Sequence, residues 1–275
     1  MNDILLNAPI VSARWLHNNL NASYLIVLDA TIPKVNGTDV NKTENQIPNT
    51  RFFDIKNKFS DVSAPFPSTV PSENQFIKEA RALGINNDST IIIYDDKGIY
   101  SSARVWYLFR AFGFRNVAVL NGGFPEYKRL GFETEQKIER LFEYGNFNGV
   151  YNPKYFKFFE DIKIESQDET HTIVDARSEN RFKSLVPEPR VGLRSGTIPN
   201  SKNLPFTELL DNGCFKDKED LKKMFNTIGD SDNHITFSCG SGITACVLAL
   251  GAEIANYKNI SVYDGSWTEW GSLTN

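Results

Sequence analysis

In Ser238-Cys239-Gly240-Ser241-Gly242-Ile243-Thr244-Ala245-Cys246 the residue types and their spacing could do chemistry. The stretch follows a short apolar run, Ile235-Thr236-Phe237, and leads into a helix-like segment, Cys246-Val247-Leu248-Ala249-Leu250. This pattern predicts a strand that ends, a loop that turns and a helix that starts, with cysteine as the first loop residue. Two glycines let the backbone curl without Cβ clashes. A loop curled onto a helix N-terminus points several N–H groups inward and makes a cradle for negative charge. A thiolate at that spot is stabilised by the amides and the helix dipole; cysteines so placed fall from about 8.5 to about 3.5–7.5 in pKa. Two meanings stand side by side: a nucleophilic cysteine, or a buried, inert one beside a tight turn.

The neighbours of the cysteine narrow the chemistry. A cysteine-type phosphatase needs an arginine six residues on to clamp the phosphate oxygens. Position 245 is alanine, and no Arg or Lys lies between 239 and 257, so a dianionic phosphate would find amides but no bidentate partner. A cysteine protease needs a histidine base, and His17, His171 and His234 are scattered without a supporting motif. Sulfur transfer needs less. A thiolate attacks a sulfane or thiol sulfur, a carboxylate-bearing leaving group departs, and a persulfide remains among the amides. Gly240-Ser241-Gly242 is small and uncharged, so substrate charge must be met from outside the loop. The candidates lie in Asp175-Ala176-Arg177-Ser178-Glu179-Asn180-Arg181-Phe182 and Pro187-Glu188-Pro189-Arg190. These arginines either face a ligand or pair with acids such as Glu179 and Glu188.

The elements that position the loop come from the rest of the chain. With 275 residues, one large or two medium domains are expected. Forty per cent apolar and 23% charged residues are ordinary for a globular protein. A formal charge of −4 with interspersed basic residues gives no nucleic-acid or anionic-membrane footprint. No 18-residue apolar stretch reads as a membrane span. Three cysteines, Cys214, Cys239 and Cys246, form no disulfide framework and, with the scattered histidines, no metal site. No signal or transit peptide is recognisable from Met1 onward, so a cytoplasmic location without a metal or organic cofactor is expected. Cys246 reads as a small buried residue, and nothing near Cys214 activates its thiolate.

Leu25-Ile26-Val27-Leu28-Asp29, Thr90 to Tyr94 and Val117-Ala118-Val119-Leu120 read as buried parallel strands. Helices are expected over 11–20 (Ser12 cap), from Glu73 to Leu83 (Ser72 cap, capping box with Gln75) and from Ser101 to Phe112. Residues 31–50 read as a long loop. The second half repeats this grammar with a period near 145. Thr172-Ile173-Val174-Asp175-Ala176 answers Ile26-Val27-Leu28-Asp29-Ala30, and Ile198-Pro199-Asn200 answers Ile47-Pro48-Asn49. Asp217 caps a helix from Lys218 to Ile228. Ile235 to Cys239 answers Ile91 to Asp95, and Ile260 to Gly265 answers Val117 to Gly122. Alternating strands and helices imply an α/β fold of two tandem domains, each a mainly parallel sheet with helices on both faces. The division is 1–140 and 153–275, with 141–152 as linker. The copies are unequal: Asp95-Asp96-Lys97-Gly98 stands where the second has Cys239-Gly240-Ser241-Gly242. The reactive centre is therefore expected in the C-terminal half, at the carboxyl end of a strand, with the N-terminal half supporting the fold and walling the cleft.

These motifs together resemble the two-domain sulfurtransferases of the rhodanese superfamily over nearly the whole chain. They include Cys239 through Ala245, Asp175 through Arg190 to Ile198-Pro199, Asp95 through Trp106, and Asp264-Gly265-Ser266-Trp267-Glu269-Trp270. The loop is similar to that of members that use 3-mercaptopyruvate; thiosulfate-using members usually carry a basic pair after the cysteine. The resemblance implies that Cys239 carries the persulfide and that Arg181 and Arg190 hold the substrate's carboxylate and carbonyl. It implies proton transfer by Ser241, and amides of Gly240, Gly242, Ile243 and Thr244 around the sulfur. In some members that serine is linked to an aspartate and a histidine. Asp61 matches the aspartate, and Ser68 stands where those members carry histidine. A thiol such as thioredoxin, or cyanide in an assay, would accept the sulfur. A thiosulfate-preferring enzyme and a non-enzymatic persulfide carrier are the alternatives.

Overall fold

The computed structural model describes residues 4–33 and 44–275. In the N-terminal half, β1 (Ile10–Val11), β2 (Leu25–Asp29), β3 (Arg51–Phe52), β4 (Thr90–Tyr94) and β5 (Val117–Leu120) form one sheet in the order β1-β5-β4-β2-β3. Every neighbouring pair is parallel. In the C-terminal half, β6 (Phe156–Lys157), β7 (Thr172–Asp175), β8 (Ser201–Asn203), β9 (Ile235–Ser238) and β10 (Ile260–Tyr263) form the order β6-β10-β9-β7-β8, again all parallel. The two orders match strand for strand, so the sequence repeat is a repeat of topology. Central strands β4 and β9 are buried along their whole length, as strands covered on both faces must be. The repeat extends to single backbone angles. Asn49 and Asn200 both take left-handed φ, +61° and +57°, a conformation asparagine tolerates better than most residues.

Helices α1 (Ala13–Asn19), α2 (Glu73–Ala82), α3 (Ser102–Ala111) and α4 (Gly123–Arg129) cover the first sheet. Helices α5 (Phe159–Glu165), α6 (Glu179–Phe182), α7 (Lys218–Asn226), α8 (Ala245–Ile254) and α9 (Ser266–Leu273) belong to the second half. Ser12, Ser72 and Asp217 accept from the amides of Trp15, Gln75 and Asp220 at 3.1, 3.3 and 2.9 Å, as N-caps do. The expected capping box at Ser72 is only half formed. The Gln75 side chain donates instead to the carbonyls of Lys58 and Ser60 at 3.0 and 2.8 Å. A long-range partner has taken the amide, and it ties down the loop before α2. The expected loop over 31–50 is interrupted: Asn45–Gln46 pairs antiparallel with Glu135–Gln136, and residues 34–43 lie outside the described residues.

The halves share one core. Helices α3 and α8 pack against each other, and α8 is apolar and buried from Ala245 through Ala252, as befits a helix enclosed over that length. Tyr107 of α3 meets Phe156 of the second sheet edge-on at 5.3 Å. Two related hydrogen bonds cross the interface: Val70 N donates to Asp264 Oδ2, and Phe215 N donates to Asn121 Oδ1, both at 2.8 Å. Asp264 and Asn121 each follow the last strand of their sheet. Between Gln136 and Pro153 there is no helix or strand, yet the chain is fastened. Gly145 N donates to Arg81 O and Phe147 N to Ile85 O, and the Phe147 ring is buried against Phe76 and Phe109.

Candidate active site

Strand β9 delivers Cys239 to its carboxyl end, and the chain from Gly240 to Thr244 folds over before α8. Gly242 turns the loop at φ +73°, and a Cβ there would lie 2.5 Å from Asp264 O, so a larger residue would displace the loop. A Cβ at Gly240 would come within 3.1 Å of an Arg181 guanidinium nitrogen. Small residues here let the arginine approach the cysteine's loop.

The loop hangs on Ser266, at the N-terminus of α9. Its hydroxyl accepts from Cys239 N (3.0 Å) and Gly242 N (3.1 Å) and donates to Tyr263 O (2.8 Å). The loop's carbonyls are also spoken for: Cys239 O accepts from Trp267 N, and Gly240 O accepts from Thr268 N and Oγ1. The amides of Gly240, Ser241, Ile243 and Thr244 have no acceptor among the described residues.

The N-terminal copy shows what such a cradle holds. There Asp95 Oδ2 accepts from the amides of Tyr100, Ser101 and Ser102 at 2.8–3.0 Å, and Oδ1 from Lys97 N at 3.0 Å. The aligned amides in the second copy are those of Thr244, Ala245, Cys246 and Ser241. Cys246 N donates to Ile243 O, and the other three are free among the described residues. One half therefore fills its anion cradle with its own carboxylate. The other presents the same backbone around a sulfur.

Cys239 is 1% exposed at the floor of a cavity of about 350 Å³, whose walls include Arg181, Arg190, Ser241, Phe206 and Thr268. The two readings of the arginines divide between them. Arg177 is a structural residue: fully buried, it donates to Asp175 (2.7 Å), Glu188 (2.8 Å) and Gly196 O (2.9 Å) and lies over the Trp267 ring. Burial pulls its pKa down, but Asp175 and Glu188 more than compensate and hold it above its ordinary value. Arg181 is partly exposed and bound to Glu188 through Nη2 (2.6 Å) and Nε (3.2 Å); Glu179 pairs with Lys183 instead. The Arg190 guanidinium has no hydrogen bond or ion pair among the described residues.

The other expected residues are less tightly gathered. Gly242 does not line the cavity, and its amide is held by Ser266. Asp61 lines a second cavity of about 600 Å³, which meets the first at Tyr100, Arg190, Ser241 and Ile243. Its carboxylate accepts from Ser63 Oγ (2.6 Å) and Ser63 N (2.9 Å), which hold its pKa below the usual range. Among the described residues no hydrogen bond joins Asp61 to Ser241. Ser68 lines the same cavity, but it takes φ +65° and its carbonyl accepts from Arg104.

Arg104 and Ser266 stood in the sequence only as members of motifs, with no role assigned to either. Arg104 is 1% exposed, stacks on Phe156, and donates to Asp264 Oδ1 at 2.6 Å. This buried pair ties α3 of one half to the end of β10 in the other, directly beneath Gly242. Arg104 is one of two arginines in an otherwise largely apolar helix, the other being Arg110, and that was the available signal, since a charge is buried only when paired. Cys246 is enclosed: its thiol donates to Gly242 O at 3.3 Å, and burial pushes its pKa up to about 12.

A doubled parallel α/β domain with a cysteine in an amide cradle in one copy alone defines the class. The Rhodanese-like domain family matches residues 12–130 and 160–273, and the chain belongs to that family. Among curated relatives, 3-mercaptopyruvate sulfurtransferase of Escherichia coli K12 is 36% identical over 95% of this chain and 94% of its own length. The Homo sapiens protein of the same name is 36% identical over 95% and 91%. Thiosulfate sulfurtransferase of Bos taurus is 34% identical over 97% and 93%. The crystal structure of the Escherichia coli 3-mercaptopyruvate sulfotransferase SseA superimposes with a TM-score of 0.84 at 33% identity, covering 95% of this chain and 99% of that one.

Proposed function

We propose that this chain is a sulfurtransferase that takes sulfur from 3-mercaptopyruvate onto Cys239. Relatives of both substrate names stand at similar identity, so the site itself must decide between them. The observation that carries the reading is the uncharged loop around Cys239, with the only unpaired cation among the cavity's described residues, Arg190, set outside it. A monoanionic keto acid needs one such anchor at its carboxylate, with Arg181 beside it for the carbonyl.

The Cys239 thiolate attacks the thiol sulfur of the substrate. A sulfur–sulfur bond forms, the carbon–sulfur bond breaks, and its electron pair leaves on the three-carbon fragment as the enolate of pyruvate. A proton completes pyruvate. Ser241, whose position touches both cavities, serves the proton movement at the substrate thiol. With Asp61 unconnected to it, a water or a substrate group supplies the remaining link. The amides of Gly240, Ser241, Ile243 and Thr244 hold the charge on the outer sulfur; those of Ser241 and Thr244 align with amides that hold the Asp95 carboxylate in the other half. An acceptor thiolate, such as that of thioredoxin, then attacks the outer sulfur and releases Cys239. Residues 1–140 serve as the non-catalytic domain and 153–275 as the catalytic one. The three cysteines are free, which suits a reducing compartment such as the cytoplasm. No helix among the described residues is long and apolar enough to cross a membrane.

The test is kcat/KM for 3-mercaptopyruvate and for thiosulfate, each with cyanide as acceptor. The keto acid should be preferred. A preference for thiosulfate, or activity with neither, would overturn the reading.

A further inference from the structure

The charges that line the Cys239 cavity come in a fixed pattern. Arg177 is bound on one side to Asp175 and on the other to Glu188. Glu188 reaches past it with its second oxygen to Arg181 at 2.6 Å. Asp175 and Glu188 are each only 1% exposed at their side chains. Two carboxylates thus neutralise two guanidinium groups, and, the nucleophile aside, Arg190 supplies the single uncompensated positive charge. The nearby Arg104–Asp264 pair is balanced charge for charge.

We infer that Glu188 is a specificity-determining residue: by cancelling Arg181, it leaves Arg190 as the single uncompensated cation facing the donor beside the Cys239 thiolate, and so selects monoanionic over dianionic sulfur donors. The inference rests on the proposed use of 3-mercaptopyruvate, a monoanion, whereas thiosulfate is a dianion. An anion's gain from the cavity field grows in proportion to its charge. Its cost of leaving water grows as the square, so a dianion pays roughly four times what a monoanion pays. One uncompensated guanidinium repays the smaller cost better than the larger, and the Cys239 thiolate repels a dianion twice as strongly as a monoanion. Glu188 acts through Arg181 and Arg177 rather than on the donor, and is a positioning residue in that sense.

The experiment measures the ratio of kcat/KM for thiosulfate to kcat/KM for 3-mercaptopyruvate in wild type, Glu188→Gln, Glu188→Asp and Thr207→Lys. Glu188→Gln keeps an acceptor for the guanidinium groups while removing the charge, and should raise the ratio about tenfold or more. Glu188→Asp keeps the charge and should leave the ratio within about twofold of wild type, even if both rates fall. Thr207 is an exposed residue on the cavity wall; a lysine there adds the same charge without disturbing the buried network. It should raise the ratio in the same direction and decides the matter if Glu188→Gln does not fold. An unchanged ratio in Thr207→Lys and in any folded Glu188→Gln overturns the inference while leaving the proposed substrate intact. A wild-type ratio already above one defeats the proposed substrate instead.

Discussion

Replacing Ser266 by alanine should loosen the loop that carries the nucleophile. The hydroxyl accepts two amides, from Cys239 and Gly242, and donates to one carbonyl, all in a fully buried setting. Alanine leaves both amides without an acceptor. An unsatisfied buried donor costs about 1–3 kcal/mol, so about 2–6 kcal/mol is the bound, and local relaxation brings the expected loss to about 2–4 kcal/mol. Ser266 also takes φ +50°, which a Cβ opposes by about 1–2 kcal/mol and glycine does not. Ser266→Gly should therefore unfold at higher urea than Ser266→Ala, by an increment of about 1 kcal/mol. Both variants lose the same anchor for Cys239, and a displacement of about 1 Å in a reacting atom costs about a hundredfold in rate. Single-turnover pyruvate release should slow to that extent in both variants. The comparison separates strain from anchoring: stability should differ between them, and the chemical step should not. Wild-type pyruvate release in a folded Ser266→Ala would refute the idea that this hydroxyl positions Cys239.

Other consequences follow from the same geometry. Arg190→Ala should raise KM for 3-mercaptopyruvate by roughly 1.5–3 kcal/mol in binding terms, the worth of a charged hydrogen bond. Its thermal midpoint should hardly move, because Arg190 has no partner among the described residues to orphan. Breaking the buried inter-domain pair with Arg104→Met should cost about 3–5 kcal/mol in urea denaturation, since it strands Asp264 as an unpaired charge; a loss below about 1 kcal/mol would mean that solvent reaches it. Burial keeps the Cys246 thiol neutral up to about pH 12, against an ordinary value of 9.0. Its folded pKa is raised, so the stability it contributes is complete below about pH 9 and lost as pH climbs toward 12. In Cys246→Ser the fall of unfolding free energy across that window should be shallower by about 1.4 kcal/mol per pH unit. Equal slopes for the two proteins would place the thiol in contact with solvent.

What could be read from the chain was what lies close in sequence. The strands Leu25–Asp29, Thr90–Tyr94 and Val117–Leu120 are where their apolar runs put them. The caps at Ser12, Ser72 and Asp217 are local hydrogen bonds over three residues. The Cys239 loop was legible because strand, turn and helix are contiguous. The repeat supplied long-range information, since it showed which residue stands in place of the cysteine. What stayed hidden depends on side chains far apart in sequence. Arg104 meets Asp264 across 160 residues, and no pattern near either names the other. Ser266 was visible only as part of Asp264-Gly265-Ser266-Trp267, and its grip on two loop amides emerges from how α9 abuts β9. Asp61 and Ser241 were brought to the walls of one cavity, but no hydrogen bond joins them among the described residues, and the Asp61 carboxylate accepts from the Ser63 hydroxyl and amide instead. The Gln75 amide went to Lys58 and Ser60 for a similar reason: a buried carbonyl elsewhere offered a better use than the cap.

The central claim is that Cys239 takes sulfur from 3-mercaptopyruvate. It is tested most directly by mass spectrometry of the protein after exposure to the keto acid without an acceptor. The peptide carrying Cys239 should gain one sulfur atom, with one pyruvate released per chain, and should lose it on addition of cyanide. An unmodified Cys239, or a sulfur found on Cys214 or Cys246 instead, would contradict the account.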